Sequence, residues 1–210
     1  MSDLKELRFK ILIIGDSGVG KTSMLLKYVD DYFPDTHIAT IGVEYKTKVM
    51  IKGKYKINLN IWDTAGQERF KSITKSFFSN STGIVFVYDI TKRDSFSGSS
   101  GVKNWIKDSE DYGKFDSVLC GNKIDLEKKR QVKFEELKEL GLKKNLEIFE
   151  TSAKTGKNIN EVFEKLVDII IKNRAEDELF REFGVKSKPR GETLTRNKPK
   201  TEEKKACCNK

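Results

Sequence analysis

The sequence Gly15-Asp-Ser-Gly-Val-Gly-Lys-Thr22 lies between a short apolar run, Phe9 to Ile14, and a segment from Lys21 to Val29 whose apolar residues have helical spacing. It fits the pattern G-x-x-x-x-G-K-[ST], in which glycines let backbone N–H groups surround a phosphate. The helix that follows adds positive potential at its N-terminus. The order of strand, glycine loop and helix favours a phosphate-binding loop over an ordinary glycine turn with an exposed lysine.

The residues of this loop are candidate ligands of a nucleotide polyphosphate and its Mg²⁺ ion. Lys21 would bridge the β- and γ-phosphates and neutralise charge during phosphoryl transfer, so it is also a candidate catalytic residue. Thr22 would offer its hydroxyl to Mg²⁺. The predicted nucleotide contacts in this loop are Ser17, Gly18, Val19, Gly20, Lys21, Thr22 and Ser23.

Apolar periodicity beyond the loop predicts further strands and helices in alternation. Apolar and polar residues alternate from Val43 to Ile51 and from Ile57 to Ile61, with Gly53-Lys54 between them, which is typical of a β-hairpin. Strands that alternate with helices imply a mostly parallel sheet covered on both faces. We therefore expect an α/β fold of the P-loop nucleoside triphosphatase class, with six mostly parallel strands, one antiparallel edge strand and helices on both faces. Further strands are predicted at Gly83 to Asp89, Ser117 to Gly121 and Leu146 to Glu150, and helices at Val102 to Tyr112, Phe134 to Leu142 and Asn160 to Asn173.

A second motif, Asn122-Lys123-Ile124-Asp125, follows the predicted strand that ends at Gly121. A carboxylate can accept hydrogen bonds from both the N1–H and the exocyclic amino group of guanine, a pair of donors that adenine does not present. Asp125 is therefore the candidate selector of guanine. Alone, this tetrapeptide is also common in solvated turns, but its place in the strand order after a phosphate loop favours the nucleotide interpretation.

A third motif, Asp63-Thr-Ala-Gly66-Gln67, comes after the second strand of the hairpin. Asp63 can hold Mg²⁺ through water, and the absence of a side chain at Gly66 permits its N–H to approach a γ-phosphate closely. Gln67 is the candidate residue for orienting the attacking water, the other interpretation being a surface glutamine. With Lys21 it completes the set of candidate catalytic residues.

These motifs together resemble the Ras superfamily of small GTPases over about Phe9 to Arg174. Thr151-Ser152-Ala153-Lys154 is similar to the family's last guanine-contacting loop. The resemblance implies a G domain that binds GTP or GDP with Mg²⁺ and hydrolyses GTP slowly as a molecular switch. It also implies the remaining contacts: Phe33 on the base, Thr40 as the second Mg²⁺ hydroxyl and γ-phosphate sensor, Asn122 as a brace between loops, Ser152 and the Ala153 N–H at guanine, and Lys123 and Lys154 against the nucleotide.

Several stretches resemble the Rab branch in particular, whose members regulate vesicle and membrane trafficking. They are Ile41 to Lys46, Ile61 to Phe70, Val87 to Thr91 and the pair Cys207-Cys208. Ile41, Trp62 and Phe70 favour an apolar surface for effectors of the GTP form, although each also suits a core or hairpin position. The resemblance further implies an exchange factor, a GTPase-activating protein, a GDP-dissociation inhibitor and a prenylation machinery as partners.

The C-terminal segment differs from the rest of the chain in composition. From Lys186 to Lys210 nine Lys or Arg stand against three Glu, which gives +6 of the total net charge of +9. We expect a GTP-binding domain over residues 8–174 and a flexible basic tail over residues 175–210. Charge concentrated in a tail favours an anionic membrane surface over nucleic acid. Lipid chains on Cys207 and Cys208 would give stable anchoring on the cytoplasmic face of intracellular membranes, the alternative being unmodified thiols.

No apolar N-terminal region marks the chain for secretion, and three cysteines form no disulfide framework, so we expect a cytoplasmic protein. We also expect a monomer that binds no nucleic acid. Two other functions stay open from the sequence. One is a P-loop ATPase or small-molecule kinase, against which Asp125 argues. The other is a binding module that stays loaded, against which Gln67, Thr40 and Asp63 argue.

Three stretches depart from the Rab pattern. Phe77 to Ser81 replaces a run that usually contains two tyrosines, arginine, glycine and alanine, and His37 stands where an aromatic residue is common. Ser97-Gly-Ser-Ser-Gly101 looks like an insertion ahead of the helix predicted at Val102. Its glycines are expected to weaken the first turns of that helix, because glycine loses more backbone entropy on folding than other residues.

Overall fold

The computed structural model describes residues 4–34, 43–64 and 78–182, within which six strands form one sheet. The strands lie side by side in the order two, three, one, four, five, six. Every neighbouring pair is parallel except the second with the third, which confirms the predicted mostly parallel sheet with one antiparallel edge strand. In chain order they are β1 Lys5–Ile14, β2 Val43–Lys52, β3 Tyr55–Thr64, β4 Gly83–Asp89, β5 Asp116–Asn122 and β6 Glu147–Thr151.

Helices cover both faces of the sheet, as predicted. The helices α1 and α5 pack on one face and α2, α3 and α4 on the other, and a short 3₁₀ helix follows β5. Their bounds are α1 Lys21–Asp30, α2 Arg93–Ser97, α3 Val102–Glu110, α4 Phe134–Lys144 and α5 Ile159–Glu182, with the 3₁₀ helix at Ile124–Lys129.

Alternation along the buried strands divides the apolar side chains between two cores. In β1, Ile11 and Ile13 pack with α1 and α5, whereas Leu12 and Ile14 pack with the helices of the opposite face. This follows from the period of two along a strand, which sends successive side chains to opposite faces. A strand covered on both faces is therefore apolar throughout, which explains the continuous run that identified β1 in the sequence.

The register of the central strands positions the end of the hairpin beside the start of the phosphate loop. Asp63 of β3 lies opposite Ile13 of β1, and the next residue of β1 leads into Gly15. The hairpin itself closes with Lys52 opposite Tyr55. Two segments that are about fifty residues apart in the chain thereby meet at one edge of the sheet.

Several elements differ from the sequence prediction in their bounds or were not predicted. β1 begins at Lys5 rather than Phe9, because backbone pairing with β3 extends into residues whose side chains are too polar to give an apolar pattern. The last helix continues past Asn173 to Glu182, through a segment rich in good helix formers. The helix α2 was not predicted, since five residues are too few for a periodic signal.

The stretch Phe77 to Ser81, which departs from the Rab pattern, lies within the described residues from Phe78 onward. Phe78 is buried and stacks on Tyr112, with ring centroids 4.7 Å apart and planes within 11°. Aromatic packing of this kind accounts for an apolar residue at that position. His37, Phe77 and residues 183–210 of the predicted tail lie outside the described residues, whereas residues 175–182 of that tail belong to α5. Within the described part of the chain, no helix combines the length and apolar character that crossing a membrane requires.

Candidate functional site

The predicted nucleotide contacts gather at the carboxyl ends of the parallel strands. The phosphate loop follows β1, Asp63 is near the end of β3, Asn122 ends β5, and Ser152 to Lys154 follow β6. The carboxyl ends of parallel strands share one edge of a sheet, which is where open α/β folds bind ligands. The fold therefore brings together motifs that are separated by more than a hundred residues.

The phosphate loop ends at Gly20, which caps α1 with a left-handed backbone (φ 97°). A Cβ atom there would lie 2.4 Å from the side-chain nitrogen of Asn122, so both the conformation and the neighbour require glycine. The first helical hydrogen bond runs from the Met24 N–H to the Gly20 carbonyl (2.9 Å). Amides ahead of that bond have no acceptor within a helix, so those of Lys21 to Ser23 suit an anion.

Lys21 opens α1, and its side chain is buried under the loop. Its ammonium donates to the carbonyls of Gly15 (3.0 Å) and Asp16 (2.8 Å). Burial lowers the pKa of Lys21 to about 8, against the opposing effect of the Asp63 and Asp16 charges. Phosphate oxygens beside this group would favour its charged form, so the position suits a polyanion.

The Thr22 hydroxyl donates to Asp63 Oδ2, which joins the start of α1 to the end of β3. The Asp63 side chain is fully buried. A hydroxyl and a carboxylate are hard oxygen ligands of the kind that Mg²⁺ takes, so these two residues fit the predicted metal. Bound Mg²⁺ would supply positive charge beside the phosphates.

The buried side chain of Asn122 connects three segments. Its Nδ2 donates to the Val19 carbonyl in the phosphate loop (2.9 Å). Its Oδ1 accepts hydrogen bonds from the Thr151 hydroxyl and the Ala153 N–H, each at 3.2 Å. Asn122 therefore holds the phosphate loop and the loop after β6 in one arrangement.

The Lys123 side chain also contacts the phosphate loop. Its backbone is left-handed (φ 72°), a conformation that non-glycine residues adopt at a cost of about 1–3 kcal/mol. Its ammonium donates to the Gly18 carbonyl (2.7 Å) and lies 2.7 Å from Asp89 Oδ2, a contact outside hydrogen-bond geometry. The strained backbone thus directs a cation over the loop, where a nucleotide would pass.

The predicted guanine contacts also meet. Asp125 is exposed, and its Oδ1 accepts a hydrogen bond from the Ser152 hydroxyl (2.6 Å). The Ala153 N–H, predicted to meet guanine O6, donates to Asn122 Oδ1 in this structure. Lys154 is exposed beside this loop. The Asp125 carboxylate and the loop after β6 are therefore in contact, as a single base-binding site requires.

The other predicted site residues are not joined to this arrangement by the structure. Phe33 is half-buried against the core that contains Val19 and Tyr28, and its stacking on the base stays a prediction. Two predicted contacts of the γ-phosphate, the first of them also a predicted Mg²⁺ ligand, and the residue predicted to orient the attacking water lie outside the described residues. They are Thr40, Gly66 and Gln67.

Comparison with known proteins identifies the family to which this chain belongs. Residues 10–172 match the model of the Ras family. The chain is 43% identical over 185 residues to the Ras-related protein Rab-13 of Rattus norvegicus, covering 86% of this chain and 87% of that one. It is 40% identical over 191 residues to Rab-3 of Caenorhabditis elegans, covering 90% and 84%, and 42% identical over 170 residues to Rab-3C of Mus musculus, covering 80% and 74%. The chain is a Rab-type member of the Ras family.

As a Rab GTPase, the protein binds GTP and GDP with Mg²⁺ and hydrolyses GTP, and its family's hydrolysis is typically accelerated by a GTPase-activating protein. It acts as a switch in vesicle trafficking. The prediction of a Rab small GTPase is confirmed. The phosphate loop and the segments that Asn122 joins to it are therefore the candidate guanine-nucleotide pocket of this GTPase.

One residue that joins two parts of the candidate site was missed in the sequence. Arg130 ends the 3₁₀ helix and binds Glu127 through Nε (2.7 Å) and Nη2 (2.6 Å). On its other side it binds Glu150 through Nη1 (2.6 Å) and Nη2 (3.2 Å). Glu127 belongs to the turn that carries Asp125, and Glu150 precedes the loop after β6. A single guanidinium thus joins the two segments that are predicted to contact guanine.

The role of Arg130 carries no sequence signal, because it stands in a basic run, Lys128 to Arg130, that suits any solvated turn. The fork geometry of the guanidinium allows two bidentate pairs at once, which a lysine ammonium cannot make. Hydrogen bonding to Arg130 lowers the pKa of Glu127, so that carboxyl group is charged at neutral pH.

Substituting Arg130→Ala is expected to speed GDP release about ten-fold, because the two guanine-contacting segments are no longer held together. The release rate is measured with a fluorescent GDP analogue chased by excess GDP in the presence of Mg²⁺. Arg130→Lys should fall between Arg130→Ala and the wild type.

The matched control is Lys144→Ala, which breaks an ion pair with Glu110 (2.7 Å) between α4 and α3 at a distance from the pocket. That variant should release GDP at the wild-type rate. A release rate for Arg130→Ala within two-fold of the wild type would contradict the role assigned to Arg130.

Proposed function

We propose that this Rab protein reads guanine and polyphosphate in one rigid pocket, with Asp125 selecting the base and Lys21 and Thr22 binding the phosphates and Mg²⁺. The observation that carries the proposal is the Asn122 side chain, which hydrogen-bonds to the Val19 carbonyl and the Ala153 N–H at once. A displacement of the base loop would therefore be transmitted to the phosphate loop.

Within this proposal, Lys21 neutralises charge that develops on the γ-phosphate, because its ammonium already lies inside the loop. Thr22 and Thr40 would supply hydroxyls to Mg²⁺ and Asp63 would hold it through water; the hydrogen bond between Thr22 and Asp63 supports this pairing. Thr40 and the Gly66 N–H contact the γ-phosphate and lose it on hydrolysis. Loss of those contacts releases the surrounding segments, and this change is the signal that effectors detect.

Gln67 is proposed to orient the attacking water. Gln67→Leu should slow single-turnover GTP hydrolysis at least about ten-fold, since leucine can neither accept nor donate a hydrogen bond to water. Phosphate release from preloaded protein measures the rate, and nucleotide affinity should be unchanged. The control is Gln131→Leu, the same substitution at an exposed residue that caps the start of α2 through the Arg93 N–H (3.0 Å). Equal rates for Gln67→Leu and the wild type would assign the water to another residue.

An apolar effector surface is also proposed on the two strands of the hairpin, β2 and β3. Tyr45 is about half exposed (48%) and packs at a tilt on Trp62, with ring centroids 5.0 Å apart. Both lie on strands that lead directly to the segments expected to sense the γ-phosphate. Ile41 and Phe70, the other predicted members, lie outside the described residues. An exchange factor, a GTPase-activating protein and a GDP-dissociation inhibitor are the regulators proposed by family.

We further propose that the protein attaches reversibly to the cytoplasmic face of intracellular membranes through lipid chains on Cys207 and Cys208. The support is a pair of thiols that lies within a basic segment, Lys186 to Lys210, of net charge +6. Two chains give stable anchoring where one gives marginal binding, and basic residues add attraction to anionic lipids. The prenylation machinery would act on this pair.

Replacing both Cys207 and Cys208 by serine should remove the protein from the membrane fraction of cells and leave its GDP affinity unchanged. Membrane recovery after fractionation and fluorescent-nucleotide titration measure the two properties. Cys120→Ala is the control, because Cys120 is fully buried in β5 and burial raises the pKa of its thiol, which disfavours modification. Recovery of the double variant with membranes would refute the lipid anchor.

A further inference from the structure

The stretch Ser97 to Gly101 looked like an insertion in the sequence, and its residues Gly98 to Gly101 form a turn between α2 and α3. The function described above makes no use of it. The Gly98 N–H donates to the Asp94 carbonyl (2.8 Å), and the Gly101 N–H donates to the Gly98 carbonyl (3.0 Å). The chain therefore leaves one helix and enters the next through a hydrogen-bonded turn.

Side-chain contacts fix the turn in place. The Asn104 amide nitrogen donates to the carbonyls of Gly98 and Ser99, each at 3.0 Å. A Cβ atom at Gly101 would lie 2.7 Å from the Asp94 carbonyl oxygen, so only glycine allows this approach. α3 begins at Val102 with a complete first turn, in which the Asn104 N–H donates to the Gly101 carbonyl (2.9 Å). The expected weakening of this helix is offset by these contacts.

The turn presents Ser100 to the phosphate loop. The Ser100 hydroxyl donates to Asp16 Oδ2 at 3.2 Å, across 84 residues of sequence. Both residues are half-buried, which limits competition from water. A charge-assisted hydrogen bond of this kind is stronger than one between neutral groups.

Asp16 connects Ser100 to the backbone of the phosphate loop. Its Oδ1 accepts the Ser17 N–H (2.8 Å), and its backbone carbonyl accepts the Lys21 ammonium (2.8 Å). The carboxylate thus lies between Ser100 on one side and the loop backbone on the other. Because the hydrogen bond from Ser100 fixes Oδ2, it also fixes the direction in which Oδ1 accepts the Ser17 N–H.

We propose that the Gly98 to Gly101 turn is a latch on the phosphate loop, and that Ser100 acts through Asp16 as a positioning residue that slows release of guanine nucleotide. This rests on the phosphate-binding role proposed for Ser17 to Ser23. Loop amides that are already oriented bind phosphate without a further ordering cost, so loosening them raises the rate at which nucleotide leaves.

The first test compares three variants in the release of a fluorescent GDP analogue with Mg²⁺ present. Ser100→Ala removes the donor and should speed release about five-fold. Ser100→Thr keeps a hydroxyl and should restore slow release. The matched control, Ser99→Ala, alters the adjacent exposed serine and should leave the rate unchanged. Thermal unfolding of each GDP-bound variant checks that the folded domain is intact.

A double-mutant cycle separates the latch from a general structural role. In an Asp16→Ala background, Ser100→Ala should change the release rate by less than two-fold, because its acceptor is gone. Ser100→Asp should speed release more than Ser100→Ala in the wild-type background, since it places a second carboxylate beside Asp16, and this excess should shrink at high salt.

A release rate for Ser100→Ala within two-fold of the wild type would overturn the latch. Multiplicative effects of Ser100→Ala and Asp16→Ala would also overturn it, as would an equal effect of Ser99→Ala. These outcomes leave the guanine pocket standing, because the wild type would still retain GDP. Failure of the wild type to retain GDP at all would instead count against the proposed pocket and the latch together.

Discussion

The hydrogen bonds of the Asn122 side chain are the interaction on which the site depends. Asparagine carries a donor and an acceptor on one rigid amide, so it can join a carbonyl on one side to an N–H on the other. Here the carbonyl is that of Val19 and the N–H is that of Ala153. Aspartate would lose the donor and leucine both groups, and either would leave buried polar backbone atoms without this partner.

Sheet topology makes this contact possible. Because β1, β3, β4, β5 and β6 run parallel, the loops that follow them open at the same edge, and short loops can carry side chains from one to the next. Cations accumulate at this edge: Lys21 and Lys123 donate to loop carbonyls, and Asp89 balances one of them. The edge therefore suits an anion, because hydrogen bonds to the loop carbonyls orient its positive groups.

The sequence predicted the parts of the molecule whose physics is local or periodic. The six strands and the helices α1, α3, α4 and α5 followed from apolar periodicity, and the phosphate loop followed from glycine spacing. The contacts of Arg130 and Ser100 could not be predicted, because each depends on a residue brought close only by tertiary folding. Serine or arginine in a polar turn gives the same sequence pattern whether it meets solvent or a distant carboxylate.

Some element bounds could not be predicted from the sequence either. Backbone pairing set the start of β1 at Lys5, where exposed polar side chains hide the strand, and local propensity carried α5 to Glu182 beyond the apolar face. Neither difference alters the site, since both lie away from the loops that follow the strands.

Competition between GDP and ADP for the wild-type protein with Mg²⁺ present tests most directly whether the base loop and the phosphate loop form one pocket. A single pocket of this kind is expected to prefer GDP by at least about 10³-fold, because a site built to hydrogen-bond a base rejects an analogue that leaves its polar groups unpaired. Comparable affinities for the two nucleotides would contradict it.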